Sequence, residues 1–283
     1  MNIVKLQREM EKVLGSEVTL GVSTLTYPHD PVRATKELLK ADLSLSRVEV
    51  SLGKPLENPQ VAVKELEELK NEYGLKYSVH VPFLYDDLAH PEESLREAYL
   101  GLARDSVDLA SRLDAHHLVV HPGGRYFDQV LPGETALEPL KIPREEYVRN
   151  SLRSLSELSE YALTRDVELL IENLAGGLCD DPGEAERLIS PWPNASFLLD
   201  IGHGNVSGTL KELLDLEPAH FHFHDNSGKE DGHERLGEGN LDLAGLLQQL
   251  RSYDGEKSIM LELYTLEDVI GSLNTLEEVL EEL

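Results

Sequence analysis

Eight short apolar runs recur along this chain, each separated from the next by a longer segment of helical period. That alternation constrains the fold more than any single residue does. The runs are "VTLGVS" (18–23), "RVEVSL" (47–52), "KYSVHV" (76–81), "HHLVVH" (116–121), "VELLIE" (167–172), "SFLLDI" (196–201), "HFHFHD" (220–225) and "SIMLEL" (258–263). They have the length and β-branched content of strands. Between them lie segments such as "PVRATKELLKAD", "PQVAVKELEELKNEYG" and "PREEYVRNSLRSLSELSEYALTRD", several opening with Pro as a first helical turn prefers. Strands that alternate with helices pair in parallel, because antiparallel hairpins need no helical crossover. A doubly wound open sheet would carry a Gly-rich phosphate loop after its first strand, and "GVSTLTYPHDP" is not one. The pattern therefore predicts an α/β fold, a (β/α)8 TIM barrel. Residues 1–15, "MNIVKLQREMEKVLG", form an extra N-terminal helix outside it. A chain of 283 residues suits one such barrel. No linker or composition break marks a second domain, so residues 1–283 read as one.

Active sites of parallel barrels gather at the carboxyl ends of the strands, and polar residues fall there repeatedly. The third strand ends near His80, the fourth at His121, the fifth at Glu172 and the sixth near Asp200, with His203 three residues on. The seventh carries His222 and His224, its following loop Asp231 and His233, and the eighth ends near Glu262. Taken singly, each suits a structural histidine or a helix cap. Together, in a closed barrel, they point at one cavity mouth. Carboxylates crowded there repel one another unless a cation sits among them. Histidine and carboxylate ligands suit zinc, manganese, cobalt or iron, so the cluster predicts a bound divalent metal.

The stretch "HFHFHDNSGKEDGH" (220–233) divides by period. On a strand His220, His222 and His224 share one face, and Phe221 and Phe223 the other. The phenylalanines suit the helix layer, so the histidines face inward. His220 is the deepest and reads as buried and structural. His222 lies at the depth of the neighbouring ligands. His224 lies nearer the rim and reads as supporting a ligand or facing substrate.

Composition bounds the partners. The formal net charge of −27 repels nucleic acid and anionic lipid at long range, so neither is an expected partner. A solubility device or an adaptation to a salty cytoplasm explains this charge most simply. One cysteine, Cys179, excludes an intrachain disulfide and fits a reducing cytoplasm. There is no signal-peptide core and no apolar run of membrane-spanning length, so the expected location is cytoplasmic.

Seven motifs, "SVHVPF", "VVHPGG", "IENLAGG", "LLDIGHG", "FHFHDN", "DGHERLGEGNLD" and "LEL", stand in order at the strand ends. In these the chain resembles the xylose-isomerase-like TIM barrels, a superfamily of sugar and sugar-phosphate isomerases and epimerases that also contains endonuclease IV-type abasic-site nucleases. The isomerase branch implies one metal ion on Glu172, Asp200, His222 and Glu262, with Glu172 and Glu262 as the acid/base pair. The substrate would be a small sugar, sugar phosphate or polyol-derived ketone, isomerised or epimerised by proton transfer through a metal-stabilised enediolate. His80, His203, His224 and His233 would contact substrate. Glu49, at the end of the second strand, and Arg235 are further candidates; Arg125, Lys229 and Arg235 stand in rim loops, as phosphate ligands or as plain surface charges. The nuclease branch implies up to three zinc ions, adding His80, His121, His203, Asp231 and His233 as ligands. The rim loops "PFLYDDLAHPEES" and "DNSGKEDGHERLGEGN" are rich in acids, and "SLGKPLENPQ" has one lysine. Such a rim favours a carbohydrate over DNA. A barrel that keeps its metal without catalysis is the least favoured reading, since both glutamates are present.

Overall fold

The computed structural model describes residues 2–84, 87–124 and 143–283. Eight strands close a parallel barrel in sequence order: β1 (Val18–Ser23), β2 (Arg47–Ser51), β3 (Lys76–His80), β4 (His117–Val120), β5 (Glu168–Glu172), β6 (Ala195–Asp200), β7 (His220–Phe223) and β8 (Lys257–Leu261). β8 pairs with β1 and seals the cylinder. All eight sequence runs are strands, with ends moved by a residue or two.

The helices begin where local chemistry starts them. Pro31, Pro59 and Pro182 each open a helix. Asp30, Asp181 and Asp242 cap helices by accepting the N–H three residues on. The extra N-terminal helix runs Ile3–Leu14, capped by Asn2 and stopped by left-handed Gly15. Its buried Ile3, Leu6, Met10 and Leu14 pack it against β1 and the final helix, Leu266–Glu282. Among the described residues, no helix is long and apolar enough to cross a membrane.

Alternation along the strands sorts the core. Phe221 and Phe223 face outward into the large apolar layer between strands and helices, edge to face at 6.0 Å. Inside the barrel the apolar part is small: Val119, Leu170 and Leu198 form a separate cluster. Met260 fills the space above Gly21, where an added Cβ would lie 2.5 Å from its sulfur. Most other inward positions are polar. His117 and His220 meet edge to face at 4.9 Å at the lower end. His220 is half-buried rather than sealed in the core. Burial first, then the charges of His117 and Arg47, pushes its pKa down to about 3. The acids and histidines of the candidate site crown the other end.

Candidate metal centre

Successive strand ends deliver the site. His80 ends β3, His121 follows β4, Glu172 ends β5 and Asp200 ends β6. His222 lies beside Asp200 in register, and Glu262 follows β8, its N–H bonded to the Phe223 carbonyl. The sequence reading did not anticipate a helix at Ile201–Ser207. Asp200 starts it by capping the His203 N–H. The cap turns His203 back over the barrel mouth, where its Nδ1 donates to the Asn173 carbonyl at 2.8 Å. Asn173, which the sequence did not single out, bridges both ways: Nδ2 donates to the Asp200 carbonyl and Oδ1 accepts the Asp200 N–H.

Among the described residues the donors fall into three groups, each with ligand atoms within 4.8 Å of one another. Glu172, Asp200, His222 and Glu262 form one; His80, His121 and Glu172 a second; His203, His224, Asp231 and His233 a third. His222 Nδ1 is 3.3 Å from Glu172, 3.2 Å from Glu262 and 3.9 Å from Asp200. His80 and His121 each bring Nε2 to 3.2 Å from Glu172 Oε2. Asp231 lies 3.0 Å from His203, 3.7 Å from His224 and 3.6 Å from His233. Ligands at roughly 2.0–2.2 Å from a tetrahedral ion lie roughly 3.3–3.6 Å apart, and these spacings fall within about 0.3 Å of that range.

The tautomers strengthen the fit. Carbonyl oxygens only accept, so a ring nitrogen facing one must carry a proton. His80, His203, His233 and His224 turn Nδ1 to the carbonyls of Val81, Asn173, Glu262 and Asp225, at 2.9, 2.8, 3.0 and 3.4 Å. Their Nε2 atoms therefore point at carboxylates that also only accept. Each such pair needs a cation between its members, either a proton or a metal ion. Burial alone would lower the imidazole pKa values, but the facing carboxylates outweigh it. His203 is pushed up to about 9, chiefly by Asp200 and Asp231, and His222 well above its usual range by Glu262, Glu49 and Glu172. Burial likewise opposes ionisation of Glu172, yet His222 and His121 hold it well below the carboxylate range. The field that holds protons here would also hold a divalent ion, and the donor set of nitrogen and oxygen suits zinc, manganese, cobalt or iron.

Glu172, Glu262, Asp231, His80, His121, His203 and His233 floor a cavity of about 290 Å3 walled by Leu25, Phe83, Leu84 and Tyr264. Tyr264, half exposed and 5.0 Å from the His233 ring, was not singled out from the sequence. His80, His203 and His233, three of the candidate substrate contacts, line the cavity. His233 holds a left-handed backbone, φ 46°, rare for a residue with a side chain.

Three expected substrate contacts lie elsewhere. His224 is fully buried, its Nε2 3.0 Å from Asp200 Oδ1. The reason is that β7 ends at Phe223 and the chain turns so that Asp225 pairs with Glu234. Glu49 is 1% exposed and sits beneath His222, outside the cavity wall. Arg235 leaves the mouth for Glu238 and lies against Gly271 of the final helix. Lys229 is exposed, and Arg125 lies outside the described residues.

A family model described as xylose isomerase-like TIM barrel matches residues 42–281. The chain is 27% identical to an uncharacterised protein of Methanocaldococcus jannaschii, over 98% of this chain and 94% of that protein. It is 25% identical to the probable endonuclease 4 of Aquifex aeolicus, over 70% of this chain and 72% of that one. A solved structure described as a D-tagatose 3-epimerase-like protein superposes with a TM-score of 0.77 at 27% identity, covering 93% of this chain and 97% of that one.

Proposed function

We propose that this chain, which belongs to the xylose isomerase-like TIM barrel family, is a divalent-metal-dependent isomerase or epimerase of a small neutral sugar or polyol-derived ketone. One observation carries the reading. Two buried carboxylates, Glu172 and Glu262, flank the same His222 nitrogen at the floor of a small cavity whose described lining holds no lysine or arginine. A cavity of about 290 Å3 is at the low end for ligand sites. With no lysine or arginine in the described lining, a neutral substrate suits it better than a sugar phosphate. The likeness to a D-tagatose 3-epimerase-like protein supports the same class.

In this reading Glu172, Asp200, His222 and Glu262 would hold the ion, which would supply a Lewis acid toward the substrate carbonyl. Glu262, 4% exposed toward the cavity, takes and returns a proton on one face of the substrate carbon. Glu172, fully buried, serves the other. His80, His203 and His233 orient hydroxyls from the wall, while Phe83, Leu84 and Tyr264 exclude water.

The test is solvent exchange. Metal-loaded protein incubated with neutral ketoses in deuterium oxide should incorporate deuterium beside the carbonyl, and Glu262→Gln should abolish it. Exchange confined to phosphorylated ketoses would overturn the neutral class. A second reading, an abasic-site phosphodiesterase with up to three ions, is favoured by the three donor groups and by the endonuclease 4 relative. Its mark would be incision of an abasic duplex, lost on Glu172→Gln.

A further inference from the structure

Glu49 is a carboxylate in the wrong place for a substrate ligand. It lies at the middle of β2, inside the barrel, 1% exposed. Burying a carboxylate is costly unless it is well partnered. Two hydroxyls reach it: Ser51 Oγ donates to Oε1 at 3.4 Å and Ser78 Oγ to Oε2 at 3.2 Å. Hydroxyls alone do not balance a buried charge. Arg47, one inward step below on β2, is within electrostatic reach of it, and the ring that faces it is that of His222, whose Nε2 lies 3.1 Å from Oε1. The approach is angled away from the ring N–H direction, so the contact is electrostatic rather than a linear hydrogen bond.

His222 is set differently from four of its neighbours. His80, His203, His224 and His233 each fix their tautomer by giving Nδ1–H to a main-chain carbonyl. They lie at strand ends or in loops, where a nearby main-chain carbonyl can accept, although that of Asp225 also takes the Glu234 N–H. His222 lies within β7, paired on one side with β6 and on the other with β8, so the ladder occupies the backbone around it. Its ring is also reversed, with Nδ1 toward Glu172 and Glu262 and Nε2 toward the lumen. A side-chain acceptor must supply what main chain supplies elsewhere, and Glu49 occupies that position.

We propose that Glu49 is a positioning residue: it keeps the His222 proton on Nε2 and thereby turns Nδ1 into a stronger and better-oriented metal donor. Carboxylates behind metal-bound histidines orient the ring and raise its basicity, and their loss typically weakens metal binding by about 10- to 100-fold. The inference rests on the reading of His222 as a metal ligand.

The test measures metal affinity, not turnover. Metal-free protein is titrated with zinc against a competing chelator, as wild type, Glu49→Gln, His222→Gln and the double variant. The expected result is a loss of about 10- to 100-fold in Glu49→Gln, a larger loss in His222→Gln, and no further loss in the double variant. Glu49→Gln within twofold of wild type, with His222→Gln impaired, would overturn the role of Glu49 and leave the metal site standing. Undiminished binding by His222→Gln would overturn the metal reading itself. Nitrogen-15 histidine spectra of the zinc-loaded wild type need no variant. They should show His222 protonated at Nε2, and an Nδ1–H tautomer would refute the proposal even if Glu49→Gln failed to fold.

Discussion

Gly202 offers a perturbation whose sign separates the site geometry from ordinary helix chemistry. It lies in the Ile201–Ser207 helix, where replacing glycine by alanine normally stabilises by about 1 kcal/mol. Here an added Cβ would stand 1.9 Å from His224 Cε1, 2.4 Å from Nδ1 and 2.5 Å from Nε2. Ordinary carbon–carbon contact is about 3.5 Å, so the ring must retreat by roughly 1.6 Å. Asp200 holds its Nε2 at 3.0 Å and His233 is stacked on it at 3.9 Å, so a retreat of that size breaks at least one contact. Overpacking costs about 1–3 kcal/mol, and a buried carboxylate stripped of a partner about 1–3 kcal/mol. After the helix gain, Gly202→Ala should be destabilised by about 1–5 kcal/mol, a fall in Tm of roughly 2–8 °C for a chain of this size. The assay is thermal unfolding of metal-free protein, repeated in a His224→Ala background. With the ring gone, the same substitution should turn neutral or stabilising, a coupling that only contact between the two residues produces. A Tm for Gly202→Ala at or above wild type would refute the placement of His224.

Removing metal with a chelator should lower Tm, and restoring it at about 100 times its dissociation constant should recover about 2.7 kcal/mol, whereas Asp200→Asn should respond far less in the same melts. His117 is held below its usual pKa by burial, reinforced by Arg47 and His116 against the opposing pull of Glu168. It therefore contributes stability above its unfolded pKa that is lost as pH falls toward the folded value. Urea unfolding of wild type against His117→Gln should show the variant less acid-sensitive between pH 7 and 5, by less than about 1.4 kcal/mol per pH unit; parallel curves would contradict this. Cys179 is fully buried, and burial followed by Glu184 and Asp180 pushes its thiol well above the usual range. Native protein at pH 8 should resist iodoacetamide, by mass spectrometry, until denaturant is added.

The sequence carried the barrel because several strands are followed by helices that start on local chemistry, such as Pro31, Pro59 and the aspartate caps. It also carried the convergence of the acids and histidines, because period two fixes which side chains point inward. Height within the lumen was not legible. Glu49 and Ser51 are both inward on β2, and register pairs Glu49 with Ser78 and Ser51 with His80. Glu49 thus stands one inward step below the mouth, and no pattern within β2 reveals that offset. Of the two roles read for His224, supporting a ligand fits its contact with Asp200 and facing substrate does not, because alternation holds only while the strand lasts and β7 stops one residue earlier. The helix after Asp200 was hidden by two glycines in "IGHGNVS", which weaken its propensity, while the cap that starts it is a tertiary fact as much as a local one.

The donors of the four-residue group come from four consecutive strands, from Glu172 on β5 to Glu262 beyond β8. An ion seated among them would tie that arc of the barrel together as a cross-link does. Peeling the last helices away would require breaking ligand bonds as well as packing. Lifetime against proteases and heat would then follow the free metal concentration of the surroundings, so the ion that equips the site for chemistry would also set how long the molecule lasts.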